Sequence, residues 1–178
     1  MNGLPSEWIK EAKILVQRAS EIYKEIFPLF QRFTRDLSFR VILEGRVKWL
    51  SSVIEKMQRK RRRAKTFSDL VGIRITVKPN DFRFLTSKLS QWLKKEGFEV
   101  RKIEIKLPND FMDYSAVHWD LCFRGFPIEL QLMTPSQRKW AVIAHDTVYK
   151  GNNHNQIIYK KLNDIHRQRE QELRHLFY

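Results

Sequence analysis

The run from Tyr114 to Met133 leaves the chain little choice of local structure. Two segments alternate polar and apolar side chains, and Arg124-Gly125 lies between them. Alternation of that period belongs to strands with one buried face, and the Arg-Gly step is a turn signal, so the run reads as a β-hairpin. Val117, Trp119 and Leu121 fall on one face with Ile128, Leu130 and Leu132. Tyr114, His118 and Asp120 fall on the other, with Glu129 and Gln131. A two-residue turn at Arg124-Gly125 pairs Phe123 with Phe126, Asp120 with Glu129 and His118 with Gln131. Directly opposed residues have Cβ atoms about 4.5–5.5 Å apart. Two opposed carboxylates repel unless a cation or a shared proton lies between them. The pattern therefore favours a metal-assisted site over a merely wet sheet face, and a one-residue slip of register would dissolve it.

The 178 residues are read as one domain, 1–178, with a core of 45–150, N-terminal helices over 6–43 and a closing helix over 156–175. The net charge of +14, from 34 basic and 20 acidic residues, points to polyanionic partners and says nothing of fold. Cys122 is the single cysteine, which disfavours disulfide, zinc and thiol chemistry and fits a reducing, cytoplasmic setting. No apolar run approaches a membrane span and no signal peptide opens the chain, so no membrane partner is expected.

Ser6 is expected to cap a first helix, with Trp8, Ile9, Ala12, Leu15, Val16, Ala19, Ile22, Tyr23 and Ile26 on its apolar face. Pro28 marks a break or a new helix start, and Leu29 to Leu43 continues as a less regular helical region. Ser51 or Ser52 caps the next helix, through Lys60. Its free N–H groups with Arg46, Lys48, Ser51 and Lys56 would make a phosphate cradle, although basic residues near a helix start are also common on plain surface helices. Arg59, Arg61, Arg62 and Arg63 lie in a basic run that is either a nucleic-acid contact or a solvated linker. Val71 to Val77 alternates as a strand, with Asp69 at its mouth and Arg74 on its polar face. Asn80 caps a helix that Gly97 ends, and Val100 to Leu107 is a further strand. Thr134 or Ser136 caps a helix through Lys150. The fold class is α+β: helices packed on one mainly antiparallel, mixed sheet of about four or five strands.

Several of these residues fall into blocks. They are Arg46-x-Lys48-x-x-Ser51 with Lys56; Phe67-x-Asp69-Leu70-x-Gly72-x-Arg74; Tyr114-x-x-x-His118; Glu129-x-Gln131-x-x-Thr134; and His145-x-x-x-Tyr149-Lys150. In that order the chain resembles the synthetase domain of the RelA/SpoT family, the alarmone synthetases, in its small single-domain form. The resemblance implies a nucleotidyltransferase-like synthetase fold and transfer of pyrophosphate from ATP to a ribose 3′-hydroxyl. It implies that Arg46, Lys48, Ser51 and Lys56 hold the ATP phosphates and that Arg74 stacks on adenine. Asp69 and Glu129 would hold magnesium (Mg²⁺), Glu129 also taking the proton of the attacking hydroxyl. Tyr114 would stack on the acceptor base, with His118, Gln131 and Thr134 close by.

Against the family pattern, Asp113 replaces a glycine, Ser115 a basic residue, Met133 an arginine and Asp120 an aliphatic residue. All four lie on the acceptor side. The loss of cations there, the charge and the basic run incline the reading to the 3′-CCA end of tRNA, as in toxic members of the family that are countered by a protein antitoxin. The alternative is synthesis of (p)ppGpp from GDP or GTP. A third reading, an inactive RNA-binding module on the same fold, is disfavoured by the retention of both Asp69 and Glu129.

Overall fold

The structure is a computed structural model that describes residues 4–106 and 116–144. The elements run α1 (Ser6–Arg35), β1 (Val41–Val47), α2 (Leu50–Lys60), β2 (Val71–Val77), α3 (Phe82–Lys95), β3 (Glu99–Lys106), β4 (Ala116–Phe123), β5 (Phe126–Met133) and α4 (Pro135–Ala144). Short 3-10 turns, Ala64–Thr66 and Pro79–Asp81, precede β2 and α3. The five strands form one sheet in the order β1-β2-β5-β4-β3, with β2 and β5 parallel and the other pairs antiparallel. The α+β class and the mainly antiparallel mixed sheet stand as expected.

Alternation sends Val71, Ile73, Ile75 and Val77 of β2 to one face with Val117, Trp119 and Leu121 of β4 and Ile128, Leu130 and Leu132 of β5, all buried. Against that face α1 lays Ala12, Ala19, Ile22, Ile26, Phe30 and Phe33, and α3 lays Phe82, Leu85, Leu89 and Leu93. The two helices meet through Phe30 and Phe33, whose rings pack on Trp92 at 5.0 and 4.6 Å between centroids. Each large apolar side chain fully buried here is worth about 1.5–3 kcal/mol. The opposite face is left for polar side chains, and α4 lies against β2 and β5 there.

The hairpin has the expected register: Phe123 pairs with Phe126, Asp120 with Glu129 and His118 with Gln131. Its turn has φ of 49° at Arg124 and 77° at Gly125, the doubly left-handed turn whose twist matches that of the strands. Gly97 ends α3 as expected: at φ 81° it lets Phe98 N–H reach the Leu93 carbonyl at 2.9 Å and Gly97 N–H that of Lys94 at 3.3 Å. Cys122 is buried and free.

Three expectations fail. Pro28 does not break α1, which runs unbroken through it. Pro28 and Lys24, whose carbonyl loses its partner, both face solvent, while the buried stripe continues from Ile26 to Phe30. Leu37 to Leu43 is not helix: α1 stops at Arg35 and Val41–Val47 is an edge strand. The serine and asparagine caps also fail. Ser6 and Ser51 are helical residues, α1 and α2 begin after Pro5 and Trp49, and α3 after Asp81, each without a side-chain cap. The closing helix over 156–175 and the end of the helix through Lys150 lie outside the described residues. Among the described residues no helix is long and apolar enough to cross a membrane.

Candidate functional site

Register builds the site. Three ladders align two rows of polar side chains across the sheet, on the face away from α1 and α3. One row runs Arg46, Gly72, Glu129, Asp120, and the next runs Glu44, Arg74, Gln131, His118. Across the antiparallel ladders, opposed side chains in these rows, such as Glu44 and Arg74 or His118 and Gln131, stand about 4.5–5.5 Å apart at Cβ. Glu44, Arg46, Gly72, Arg74, Glu129 and Gln131 line a cavity of about 240 Å³.

Gln131 links the two charge types in the cavity. Its Oε1 accepts from Arg74 Nε at 3.1 Å and Nη2 at 3.0 Å, and its Nε2 donates to Glu129 Oε2 at 2.8 Å. The other oxygen of Glu129 lies 3.2 Å from Nδ1 of the buried His118. Asp120 does oppose Glu129, but His118 and Gln131 already meet both Glu129 oxygens, so this pairing alone does not require a cation. The Glu129 carboxylate is thus held in one orientation by a partner on each oxygen.

A second cluster sits where β1 hands over to α2. Lys48 donates its backbone N–H to the Leu70 carbonyl at 2.9 Å, which fixes the strand exit beside Asp69. Asp69 Oδ2 accepts from Lys48 Nζ at 2.5 Å and from Lys56 Nζ at 2.8 Å. Lys56 also lies 4.5 Å over the Phe67 ring. Burial pushes the Asp69 carboxyl up, but the hydrogen bonds from Lys48 and Lys56 outweigh it and hold it below the usual range. Its Oδ1 is buried and has no hydrogen-bond partner among the described residues. A hard carboxylate oxygen with an open lone pair suits a hard cation, so Asp69 fits Mg²⁺. Among the described residues no three His, Cys, Asp or Glu side chains gather. Mg²⁺ held by one or two carboxylates and substrate phosphates needs no such cluster.

The remaining expected residues separate. Ser51 is exposed in the first turn of α2. Thr134 is buried and caps α4 reciprocally with Gln137: Gln137 N–H donates to Thr134 Oγ1 at 3.4 Å, and Thr134 N–H to Gln137 Oε1 at 2.8 Å. Arg59, Arg61 and Arg62 are exposed at the end of α2. Arg63 does not belong with them, because its guanidinium is drawn back to Glu11 of α1. Tyr114, His145, Tyr149 and Lys150 lie outside the described residues. Glu44 and Arg138 were not anticipated. Arg138 of α4 grips Glu44 with two bonds of 2.7 Å. The alternation of Val41, Leu43, Gly45 and Val47 was the available signal for the strand that carries Glu44.

Residues 45–154 match the family described as the region found in RelA / SpoT proteins. No curated protein sequence matches the chain. Among solved structures, small alarmone synthetase 1 from Bacillus subtilis superposes with a TM-score of 0.70 at 18% identity, over 97% of this chain and 95% of that one. A GTP pyrophosphokinase family protein from Streptococcus pneumoniae gives 0.68 at 20%, over 97% and 92%. The complex of the type VI effector Tas1 with its immunity protein gives 0.59 at 15%, over 94% and 100%. At these identities the likeness is one of fold.

Proposed function

The chain belongs to the RelA/SpoT family of pyrophosphokinases, and from that premise we propose that it moves the terminal pyrophosphoryl group of ATP onto the 3′-hydroxyl at the 3′-CCA end of tRNA. The observation that carries the chemistry is the meeting, in one cavity, of Arg46 and Arg74 with a Glu129 carboxylate oriented from both sides. Phosphoryl-type transfer needs charge neutralisation and in-line positioning more than covalent help. Arg46, Lys48, Ser51 and Lys56 bind the polyphosphate, and Arg74 stacks on adenine. The ribose hydroxyl attacks the β-phosphorus, the bond from that phosphorus to the α,β-bridging oxygen breaks, and AMP leaves. Glu129 accepts the hydroxyl proton. Asp69 and Glu129 would hold Mg²⁺, which would supply charge neutralisation for the transferred group. Tyr114, His118, Gln131 and Thr134 form the acceptor side, where Thr134 acts by fixing the start of α4.

For the acceptor, the support is electrostatic. The exposed Arg59, Arg61 and Arg62 suit a nucleic-acid backbone, and the buried Met133 offers no cation to a 5′-polyphosphate. On this reading a protein antitoxin is a partner, and the compartment is the cytoplasm. A second reading, (p)ppGpp synthesis from GDP or GTP, is favoured by the fold likeness to small alarmone synthetases. Incubation with γ-³²P-ATP and, separately, total tRNA, GDP or GTP decides between them. Label on tRNA is the expected result. Label on GDP or GTP alone establishes the second reading, and label on none overturns both.

A further inference from the structure

We propose that Arg138 is a positioning residue that sequesters Glu44 and so keeps Arg74 available as a cation for the ATP side of the cavity. The inference rests on the reading of this cavity as a nucleotide site. Glu44 stands directly opposite Arg74 in the β1–β2 register, at a spacing from which their side chains can meet. It also lines the cavity. An ionised carboxylate at that place competes with the adenine ring of a bound nucleotide for the guanidinium of Arg74. Instead, both Glu44 oxygens are taken by Arg138, through Nε and Nη2 at 2.7 Å each. That is the two-pronged, charge-assisted geometry in which Arg binds carboxylate best. Those hydrogen bonds hold the Glu44 carboxyl below its usual range against burial, and the nearby charge of Arg74 adds to the effect. Arg74 meanwhile gives both its side-chain hydrogen bonds among the described residues to the neutral oxygen of Gln131, so no carboxylate there is hydrogen-bonded to it.

The reciprocal cap of Thr134 and Gln137 starts α4 in a fixed place, and Arg138 N–H donates to the Thr134 carbonyl at 2.9 Å. Arg138 is thereby delivered to Glu44 by backbone geometry. A plain alternative is that the ion pair only pins α4 to the sheet. The two roles give opposite results in a double substitution. If Arg138 sequesters Glu44, Arg138→Ala frees the carboxylate to neutralise Arg74, and adding Glu44→Gln removes the competitor. If the pair is only a pin, both variants lack it equally.

The measurement is the affinity of the full chain for an α,β-methylene analogue of ATP in Mg²⁺ buffer, by calorimetry, with KM and kcat for ATP alongside. Arg138→Ala is expected to weaken analogue binding and raise KM about tenfold or more, with kcat at saturation little changed. Arg138→Ala with Glu44→Gln is expected to restore both to within about threefold of the wild type, while its thermal midpoint stays as low as that of the single variant. Both side chains are about one-third exposed, at 34% and 38%, so the fold survives their loss. Arg138→Gln repeats the comparison with a polar side chain. Loss without rescue in the double variant overturns the proposal and leaves the nucleotide reading standing. A wild-type chain that binds no analogue overturns the reading itself, and the proposal with it.

Discussion

Asp69 is more than a candidate metal ligand. It is the shared counter-ion of Lys48 and Lys56, so its removal leaves two ammonium groups facing each other. Asp69→Asn is therefore expected to abolish turnover and also to lower stability, by about 1–3 kcal/mol at neutral pH. The folded carboxyl is depressed below its ordinary value of 3.8, so its contribution is fully present above that value. It is lost as pH falls through the lower, folded value. The stability gap between wild type and Asp69→Asn, measured by urea titration, should close in that acid range and stay open above it. Sequence alone gave Asp69 a part in catalysis, because carboxylate and lysine blocks are visible as letters. It did not reveal that the same carboxylate holds the lysines, since that depends on how β1, α2 and β2 converge. The same holds for Arg63, one of four arginines in the letters but tied in space to Glu11.

At the level of elements, legibility followed local rules. The β4–β5 hairpin was readable to the residue because its two-residue turn admits one register and both strands alternate cleanly. With it came His118, Glu129 and Gln131 in their true relation. The β1 strand was hidden because its residues follow a long helix without a strong breaker and none of the seven is fully buried at the sheet edge. Its fit depends on Gly45, where a Cβ would come within 2.7 Å of Phe27 and Tyr23 on α1. Losing β1 from the reading lost Glu44, and with it the Arg138 contact. Pro28 misled in the opposite direction, since a solvent-facing proline was outvoted by a buried stripe on the other side of the helix. Pro28→Ala should restore the backbone bond to the Lys24 carbonyl and raise stability by about 1 kcal/mol or more, read as a shift in denaturation midpoint at constant slope.

Over the whole molecule, charge and connectivity set the remaining expectations. Replacing Arg59, Arg61 and Arg62 with Ser, leaving Arg63 on Glu11, should weaken tRNA binding and flatten its salt dependence. Each lost phosphate contact lowers the log–log slope by about 0.7–0.9. Use of ATP analogue should be unchanged. An unaltered slope would mark the run as a solvated end of α2. The sheet order carries a different consequence, one of timing. Three of its four ladders join strands that are neighbours in sequence, but the β2–β5 ladder joins segments far apart along the chain and is the one parallel pairing among the described residues. Long loops close late, because their entropy is lost before any contact compensates. That ladder seats Gly72 beside Glu129 and Arg74 beside Gln131, so both polar rows are completed only when it zips. In refolding monitored by pulsed hydrogen exchange, amides across β4 and β5 should become protected first. Those between β2 and β5 should follow together with the return of ATP binding, so that a half-folded chain carries a finished hairpin and no working site.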